Sequence, residues 1–272
     1  MIDQVRELIA QYGDQLALVV NVSGGKDSTR MLGFIWEAFP EVKKYVVMAD
    51  TGFEHVRPVS AEAFARESAA RFGLPLVVVR NPNKTYLEMV ERRGMFPGAK
   101  YRQCTSDLKR GPIEKFIRSL PEKVIINCTG IRAQESSARA KQTPWKLNAG
   151  LSKAGRQVWN WMPIFTESLG DVIQWHWKNG MPLHPVYVSE YHCDGTVGGY
   201  LRRLSCRLCI FSTDNDIRAI YEHDREAFDM VAGLEERTKF TMKDGKSLVQ
   251  IMALPPTNSK QYGSEEDFPC MS

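Results

Sequence analysis

The sequence contains no apolar run that approaches the roughly 20 residues a membrane-spanning helix needs. Its first seven residues carry acidic side chains and lack the basic-then-apolar order of a signal peptide. No internal repeat and no low-complexity segment is present. We therefore expect a cytoplasmic protein without a membrane partner, in which the six cysteines do not form a disulfide framework.

The composition fits a globular protein that binds an anion. Apolar residues make up 43% of the 272 residues, enough for a sizeable core and too many for a disordered chain. The length suits one large domain, or one domain with a substantial C-terminal extension. The formal net charge of +4 favours an anionic ligand such as a nucleotide, although it does not by itself indicate a nucleic acid.

Helical and strand patterns alternate through the first half of the chain. Short apolar runs predict strands, and apolar residues at helical spacing predict the helices between them. Such alternation predicts an α/β fold with a doubly wound, twisted parallel sheet of about five strands, which binds ligands beyond the carboxyl ends of its strands. The predicted strands cover residues 16–22, 45–49, 76–79 and 124–127, and the predicted helices cover 5–12, 28–39, a segment with Pro58 in its first turn that ends near 72, and 107–120.

The pattern changes in the second half of the chain. Five tryptophans crowd residues 145–177 in a stretch with few clear strands, and helical spacing returns over 214–237. We expect an irregular, mobile tail over 255–272. The sequence thus predicts a nucleotide-binding α/β domain over 1–165 and a Trp- and Cys-rich, mainly helical C-terminal region over 166–272, either as two regions or as one continuous domain.

One short string at the end of the first predicted strand carries the clearest chemistry. Paired glycines let the backbone approach a phosphate, and the N-terminus of the next helix offers N–H groups and the positive end of its dipole. Lys26 adds a point charge suited to phosphate, and Asp27 is placed to order a Mg²⁺ ion or the loop itself. The string is not a Walker A sequence, so an ordinary glycine-rich turn is the alternative. Its residues are Ser23, Gly24, Gly25, Lys26, Asp27 and Ser28, with the two serine hydroxyls as further donors.

A second group of charged residues follows the fourth predicted strand. Arg132 and Arg139 lie past the strand end, where a guanidinium can hold a phosphate or sulfate through two hydrogen bonds. The alternative for each arginine is a solvated surface charge. Glu135 either orients one of these arginines or complements the dipole of a helix start, and we favour a structural role for it.

These segments resemble a known family. Residues 23–28 are similar to the PP-loop of the ATP pyrophosphatase, or adenine-nucleotide α-hydrolase, superfamily. Further segments follow the order found in the phosphoadenosine phosphosulfate (PAPS) reductase family, and the resemblance covers about residues 16–211. Those segments are Asp50-Thr51-Gly52-Phe53, Tyr101-Arg102-Gln103-Cys104-Thr105 with Leu108-Lys109, Gly130-Ile131-Arg132 with Glu135-Ser136 and Arg139, and Trp161-Met162-Pro163-Ile164 with Asp171-Val172 and His184-Pro185-Val186-Tyr187.

The resemblance implies an adenine nucleotide as the ligand, either ATP with Mg²⁺ or a sulfonucleotide such as PAPS or adenosine phosphosulfate (APS). It implies catalytic roles for Lys26, Asp27 and Arg132. The nucleotide contacts that it implies are residues 23–28, Asp50, Thr51, Gly52, Gly130, Arg132 and Arg139.

Four cysteines form a candidate metal site. Cys206 and Cys209 form a CxxC pair, with Cys193 upstream and Cys104 at a position similar to the family's. Four thiolates hold a [4Fe–4S] cluster or a Zn²⁺ ion, and we favour iron–sulfur because the ligands are all soft. Iron–sulfur members of the family carry an adjacent Cys-Cys pair that this chain lacks, so unrelated buried thiols are the alternative. Cys128 ends a buried strand and is predicted to lie in the core.

The C-terminal tail holds one more candidate. PAPS reductases resemble this chain in having an acidic mobile tail with a nucleophilic cysteine in an ECG-type motif, whereas Cys270 follows acids without that motif. Neighbouring acids make a thiol harder to deprotonate, and a basic phosphate site reverses that effect if the tail closes over it. We favour an inert thiol over a catalytic nucleophile.

Aromatic and basic residues leave further alternatives open. The tryptophans of residues 145–177 are predicted to lie in the core or in a lid over the nucleotide, with a base-stacking surface for nucleic acid as the minority alternative. His184 is expected to make a structural hydrogen bond at a turn, and His192 is an alternative metal ligand. The basic residues that either carry a polyanion or form a solvated loop are Lys141, Lys146, Lys153 and Arg156.

Two enzymatic functions and one binding function fit the sequence. In the favoured one, water or an acceptor attacks the α-phosphate of ATP, giving AMP plus pyrophosphate or an adenylylated acceptor, in sulfur transfer or in nucleic-acid modification or defence. In the second, a cysteine attacks the sulfur of PAPS or APS, and sulfite is released. In the third, the chain senses an adenine nucleotide as an accessory protein of a phage or CRISPR system. Expected partners are a thiol reductant or sulfur donor, a nucleic acid or a nucleic-acid-directed complex, and a second copy of the chain.

Overall fold

A six-stranded sheet organises most of the first 160 residues in the computed structural model. Its strand order is β3-β2-β1-β4-β6-β5. β1 pairs in parallel with β2 and β4, β4 pairs in parallel with β6, and β5 is antiparallel to β6. The predicted α/β fold is therefore confirmed, with one antiparallel edge strand beyond the five expected. The strands are β1 (Leu16–Asn21), β2 (Lys43–Asp50), β3 (Leu76–Arg80), β4 (Val124–Thr129), β5 (Trp145–Leu147) and β6 (Gln157–Trp161).

The structure describes residues 1–187, 190–191, 197–198, 201, 203–204 and 206–255. Within those ranges a short antiparallel pair is formed by β7 (Glu190–Tyr191) and β8 (Val197–Gly198). The α-helices are α1 (Ile2–Tyr12), α2 (Lys26–Ala38), α3 (Ala61–Ala70), α4 (Tyr86–Arg93), α5 (Gly111–Ser119), α6 (Ser137–Ala140), α7 (Leu169–Lys178), α8 (Asp214–His223), α9 (Arg225–Thr238) and α10 (Leu248–Ala253). None of these helices combines the length and the hydropathy that crossing a bilayer requires.

The core of the sheet lies under α5. Val19, Ile125 and Val158 come from three adjacent strands and are fully buried on one face. Ile117 and the partly buried Ile113 of α5 cover them. The alternation of these side chains with residues of the other face is the period of two that a strand imposes. Burial on both faces explains why β1 reads as a continuous apolar run.

Several predicted elements differ from the observed ones. Pro58 precedes helix α3, which begins at Ala61, so it is not in the first turn of that helix. The helix predicted over 107–120 consists of a π-helical stretch, Cys104–Arg110, followed by α5. Helix α4 was not predicted, although Thr85 and Glu88 form a capping box at its start and Gly94 ends it in a left-handed conformation.

The tryptophan-rich stretch contributes two short strands, in keeping with the expectation of few. β5 and β6 complete the sheet, and Trp159 and Trp161 lie on one face of β6 while Val158 lies on the other. Trp161 is fully buried, and the rings of Trp145 and Trp159 stack with centroids 5.0 Å apart. Trp159 and Trp161 are two residues apart, which is the spacing of one face of a strand, but no strand was predicted there. Their position in the sheet fits the predicted core role.

The chain divides into two compact units, each assembled from separate segments. The sheet unit comprises Met1–Ala49, Glu62–Val79 and Ile113–Leu183. The cysteine unit comprises Asp50–Ala61, Arg80–Pro112 and the described residues from His184 onward. Helices α4 and α9 pack together in the cysteine unit. The division into functional regions at residues 165 and 166 stays a prediction.

Candidate functional site

The phosphate loop joins the buried end of β1 to the first turn of α2. Gly24 has a φ of 74°, a left-handed value that glycine adopts at little cost. Gly25 is the N-cap of α2, and because glycine has no side chain, no side-chain group of the N-cap bonds to the N–H groups of the first turn. The helix start therefore keeps its capacity to bind an anion through backbone N–H groups and its dipole.

The hydroxyl of Ser28 closes this loop. Its Oγ accepts a hydrogen bond from the Ser23 N–H at 3.1 Å and donates to the Gly25 carbonyl at 2.9 Å. Ser23 Oγ lies 3.4 Å from the same oxygen. Its proton is donated within the loop, so the Ser28 hydroxyl shapes the loop in this structure, and its predicted contact with phosphate stays a prediction.

Lys26, Asp27 and Arg132 form one linked set of charges. Lys26 and Arg132 are each only 4% exposed. Arg132 Nε donates to Asp27 Oδ1 at 2.5 Å, and Lys26 Nζ lies 3.6 Å from the other carboxylate oxygen. Arg132 Nη1 also donates to Gln134 Oε1 at 3.1 Å. Two buried cations are thereby fixed beside an open helix start, and a bound anion would complete the set.

Glu135 holds the backbone of this arginine. Its carboxylate accepts the Arg132 N–H at 3.0 Å and forms an ion pair with the half-buried Arg139. Glu135 therefore links Arg139 to Arg132 and has the structural role favoured from the sequence. Arg139 is placed near the site but is already engaged by Glu135, so the resemblance's assignment of a nucleotide contact to Arg139 stays a prediction.

Gly130 allows β4 to approach the start of α2. A Cβ at this position would lie 3.0 Å from the Asp27 carbonyl oxygen and 3.1 Å from Ser28 Cα, both backbone atoms. A side chain would therefore push the first turn of α2 away from the end of β4. The glycine contributes to the site through this close approach rather than through a left-handed φ.

His176 is a residue of the site that no sequence pattern indicated. It is fully buried on α7, and its Nε2 lies 2.9 Å from the Lys26 carbonyl while Nδ1 lies 3.2 Å from the Met181 carbonyl. Burial lowers its pKa below the usual histidine value, so the ring stays neutral near pH 7. Its separation of 150 residues from Lys26 leaves no local pattern that predicts the contact.

The Asp27 carboxylate is occupied by two cations in this structure. With one oxygen bonded to Arg132 and the other beside Lys26, it does not offer an open ligand for Mg²⁺. The geometry fits a role in which Asp27 holds Arg132, and its predicted role in ordering a Mg²⁺ ion or the loop stays a prediction. No catalytic step is therefore assigned to a protein-bound Mg²⁺ ion.

The turn after β2 lies in the cysteine unit. Asp50 Oδ1 accepts the Gly52 N–H at 2.7 Å, and Asp50 Oδ2 lies 3.3 Å from Arg80 Nη2. Gly52 has a φ of 72°, and a Cβ there would lie 2.5 Å from Thr85 Cγ2. The Thr51 hydroxyl lies 3.8 Å from Cys206 Sγ. This turn therefore contacts a candidate metal ligand, while its predicted nucleotide contacts stay a prediction.

Three of the four candidate metal ligands lie in the cysteine unit and influence one another. Burial raises the pKa of Cys206, and burial followed by the charge of Cys209 raises that of Cys104. The charge of Cys206, followed by that of Glu54, raises the pKa of Lys109. Across the described part of the chain, no group of three or more His, Cys, Asp and Glu side chains has the geometry of a metal site. Cys193 and the alternative ligand His192 lie outside the described residues.

The donor chemistry of these thiols fits a soft metal, and a nearby phenol adds an unsatisfied polar atom. Tyr86 is 2% exposed and its ring stacks on Phe53 with centroids 5.5 Å apart. Its OH makes no hydrogen bond to any described residue. Its N–H donates to the carbonyl of Thr51, whose hydroxyl contacts Cys206. A buried donor of this kind needs a partner from outside the described residues, either a further part of the chain or a bound group.

Three further residues that were assigned roles from the sequence are Cys128, His184 and Cys270. Cys128 is fully buried, which confirms its place in the core. His184 Nε2 lies 3.0 Å from the Val59 carbonyl and Nδ1 accepts the Val186 N–H, as expected of a structural histidine at a turn. Cys270 and its tail lie outside the described residues.

One of the four basic residues near the tryptophans has a structural role. Arg156 Nη1 donates to the carbonyls of Ile117 and Arg118 at 3.1 Å each, and so caps the end of α5. Its guanidinium is therefore not freely solvated, and the predicted polyanion contact of this stretch stays a prediction. Lys141, Lys146 and Lys153 are exposed.

Comparisons with known proteins identify relatives of this chain. An uncharacterized 37.8 kDa protein in the gpa 5′ region of Escherichia phage 186 is 25% identical over 280 residues, covering 87% of this chain and 79% of that protein. An uncharacterized protein of Methanocaldococcus jannaschii is 27% identical over 192 residues, covering 71% of this chain and 36% of that protein.

Two solved structures are similar in fold, at low identity. The U34-tRNA thiolase NcsA from Methanococcus maripaludis, with its [4Fe-4S] cluster, aligns with a TM-score of 0.48 and 12% identity over 93% of this chain and 86% of that one. The NH3-dependent NAD synthetase from Campylobacter jejuni, in complex with a nitrate ion, aligns with a TM-score of 0.40 and 13% identity over 88% of this chain and 90% of that one.

A family model matches the larger part of the chain. The model describes the phosphoadenosine phosphosulfate reductase domain and matches residues 17–203, from β1 to just before the CxxC pair. The matched region contains the phosphate loop, Gly130 and Arg132. The chain therefore belongs to the phosphoadenosine phosphosulfate reductase domain family.

Proposed function

We propose that the chain binds ATP at the phosphate loop and cleaves it at the α-phosphate. The observation that carries this proposal is the pair of buried cations, Lys26 and Arg132, linked by Asp27 at the open start of α2. A buried, pre-positioned positive site is suited to a leaving pyrophosphate, whose charge increases as the bond breaks. Family membership supports an adenine nucleotide as the ligand.

The reaction requires an attack in line with the bond that breaks. Oxygen from water or from an acceptor forms a bond to the α-phosphorus, and the bond from that phosphorus to the bridging oxygen of pyrophosphate breaks. Lys26, Arg132 and the α2 N–H groups stabilise the charge on the departing oxygen. Mg²⁺, when it accompanies ATP, neutralises part of the triphosphate charge. Asp27 acts by holding Arg132 in place.

A product assay tests the reaction. The purified protein is offered ATP, APS and PAPS separately, each with a thiol reductant, and AMP, pyrophosphate and sulfite are measured. We expect AMP and pyrophosphate from ATP, or an adenylylated acceptor when one is supplied, and no sulfite. ATP left intact by protein that binds it would instead support the sensing function.

A matched pair of lysine variants tests the site. Lys26→Met removes the buried cation and keeps most of the side-chain volume, and turnover is expected to fall roughly 100- to 1000-fold, as when one transition-state donor is lost. Lys43→Met removes an exposed lysine paired with Glu122 in the same unit and should leave turnover unchanged. Equal turnover of the two variants would contradict the assignment of the phosphate loop.

The cysteine unit is proposed to hold a [4Fe–4S] cluster through Cys104, Cys193, Cys206 and Cys209, with Zn²⁺ as the alternative. Support comes from four soft donors, from the electrostatic proximity of the three described thiols and from the Tyr86 phenol, which has no partner among the described residues. Such a centre would supply sulfur for transfer or would stabilise the fold.

Protein purified without oxygen should contain iron and sulfide and absorb broadly in the visible range, whereas colourless protein with stoichiometric zinc would contradict the cluster.

A sulfonucleotide reductase is the second candidate, favoured by the name of the matching family. It requires a cysteine that attacks sulfur to form a thiosulfonate and release the nucleotide, followed by a thiol that releases sulfite. Both the CxxC pair and Cys270 lie beyond the matched residues 17–203. Sulfite release that disappears in the Cys270→Ser variant would establish this function in place of ATP cleavage.

A further inference from the structure

A basic segment of the cysteine unit concentrates the positive charge of the chain. Residues 92–110 carry six basic side chains against one acid, so their formal charge of +5 exceeds the +4 of the whole chain. All of these basic side chains except the half-buried Lys109 are exposed. They are Arg92, Arg93, Lys100, Arg102, Lys109 and Arg110. The charge is therefore local rather than spread evenly over a solvated surface.

The one acid of this segment does not weaken its positive charge. Asp107 Oδ2 accepts hydrogen bonds from Lys84 Nζ at 2.6 Å and from Gln103 Nε2 at 3.1 Å. Its other oxygen accepts from the Ser106 hydroxyl at 2.8 Å. Lys84 comes from outside the segment and compensates the charge of Asp107. The neighbouring cations thus face an approaching anion without a competing free carboxylate from the segment itself.

Exposed aromatic rings lie among these cations. Tyr101 is 73% exposed. It lies on a turn in which its own carbonyl accepts the N–H groups of Gln103 at 3.0 Å and of Gly98 at 3.4 Å. Phe211 is 47% exposed, and the Arg102 guanidinium carbon lies 5.3 Å from its ring centroid. Flat rings and a guanidinium plane that face water in a cationic setting are the features on which unpaired bases stack.

We propose that this basic–aromatic surface, formed by residues 92–110 and Phe211, binds single-stranded nucleic acid. The exposed cations, Lys100 foremost, would contact phosphates, while Tyr101 and the Arg102–Phe211 pair stack on bases. Stacking requires bases that are not already paired, so a single strand fits this surface better than a duplex. An acidic protein would use the cations but would leave the aromatic rings without a planar partner.

The surface adjoins two of the candidate metal ligands. Arg102 precedes Cys104 by two residues, and Phe211 follows Cys209 by two. The contact between Arg102 and Phe211 therefore brings together the two chain segments that carry these thiols. Both thiols are partly exposed. A strand bound on the surface would pass beside them. If the proposed function holds, we infer that nucleic acid is its class of acceptor.

Binding is measured by fluorescence anisotropy with labelled single-stranded oligonucleotides of roughly 12 nucleotides, as RNA and as DNA, without ATP. Tyr101→Ala should weaken binding about tenfold through the loss of one stacked base. Lys100→Ala should weaken binding and reduce the slope of log affinity against log salt by about one. The tighter of the RNA and DNA oligonucleotides identifies the natural class, and the corresponding duplex should bind more weakly than either.

Two exposed residues outside the surface serve as controls. Phe240→Ala removes a 44% exposed ring of the same unit, and Arg6→Ala removes an exposed cation of the sheet unit. Both should bind as the unaltered protein does. Any one of three results would overturn the proposal. They are no binding at low salt, equal losses in the control variants, and competition by polyglutamate that is as effective as competition by oligonucleotide. Because ATP is absent, a failure of the proposed ATP cleavage leaves this result unchanged.

Discussion

The phosphate loop and the cysteine unit differ in how completely their polar groups are satisfied. In the loop, the Ser28 hydroxyl, the Asp27 carboxylate and the Arg132 guanidinium all have partners before any ligand binds. In the cysteine unit, the Tyr86 phenol has none among the described residues, and burial keeps the thiol of Cys206 protonated. The loop is therefore pre-organised as an anion site, whereas the Tyr86 phenol of the thiol region still needs a partner from outside the described residues.

The comparison shows what can be expected of each region in the isolated protein. A pre-organised anion site loses function when one of its linked groups is changed, because the others depend on it. An incomplete site loses little when an unpartnered group is removed, because no interaction is broken.

Arg132→Lys should reduce ATP turnover roughly 100-fold or more. A lysine keeps the charge but cannot donate from separate nitrogens to Asp27 and Gln134, so the positive charge loses its fixed position. Steady-state rates of AMP formation measure the effect. Arg118→Lys, an exposed arginine of the same unit, should leave the rate unchanged. A fully active Arg132→Lys enzyme would show that charge alone suffices and that pre-organisation does not matter.

Gly130→Ala should destabilise the sheet unit by about 1–3 kcal/mol and weaken nucleotide binding. The added methyl group meets backbone atoms of Asp27 and Ser28, which can yield only by moving the first turn of α2. Urea unfolding and ATP titration measure the two effects. Gly98→Ala, where a Cβ meets no atom within 4 Å, is the control. Equal ATP affinity in both variants would refute the role of the close approach.

His55→Gln should reduce the acid sensitivity of the protein. Burial, followed by the charge of His184, lowers the pKa of His55 to about 4, while the unfolded chain titrates near pH 6.5. The unfolded state therefore binds the extra proton first, and stability falls as the pH drops from 6.5 toward 4. At pH 5 the loss from this one group is about 2 kcal/mol.

Unfolding midpoints in urea at pH 7 and pH 5 measure the contribution of His55. The difference between the two midpoints should be smaller in His55→Gln than in the unaltered protein. The buried His176 remains in both proteins and so cancels in the comparison. An identical pH dependence in the two proteins would contradict the assignment of a neutral, buried His55.

Ser28→Ala and Tyr86→Phe should change the stability in different directions. Both remove one buried hydroxyl, but the Ser28 hydroxyl makes two hydrogen bonds and that of Tyr86 makes none to a described residue. We expect Ser28→Ala to cost about 1–3 kcal/mol and Tyr86→Phe to be neutral or slightly stabilising in metal-free protein. Urea unfolding measures both. A Tyr86→Phe loss as large as that of Ser28→Ala would mean that the phenol has a partner in the resting protein.

Local sequence predicted the part of the site that is local. The apolar run of β1, the paired glycines and the helix start occupy consecutive residues, so spacing alone placed the phosphate loop at a strand end. The contact between Arg132 and Asp27 joins residues 105 positions apart. The sequence predicted that Arg132 binds an anion beyond a strand end, but it did not predict this contact. The family resemblance, and not residue spacing, predicted that the phosphate loop and the segment around Arg132 contact the same nucleotide.

The features that sequence did not predict depend on distant packing. His176 reaches Lys26 across 150 residues, and the burial of Tyr86 results from its stacking on Phe53 and from its backbone bond to Thr51. The tryptophans of β5 and β6 satisfied a strand pattern, yet their size favoured an interpretation as a lid or core cluster. The basic–aromatic surface is continuous in sequence except for Phe211, whose place beside Arg102 only the fold reveals.

The central claim is that the nucleotide is attacked at its α-phosphorus. Turnover of ATP in water enriched with oxygen-18, followed by mass spectrometry of the products, tests it most directly. In the absence of an acceptor, we expect AMP that carries one labelled oxygen and pyrophosphate that carries none. Label in pyrophosphate, or ADP with labelled inorganic phosphate, would place the attack on another phosphorus and contradict the account.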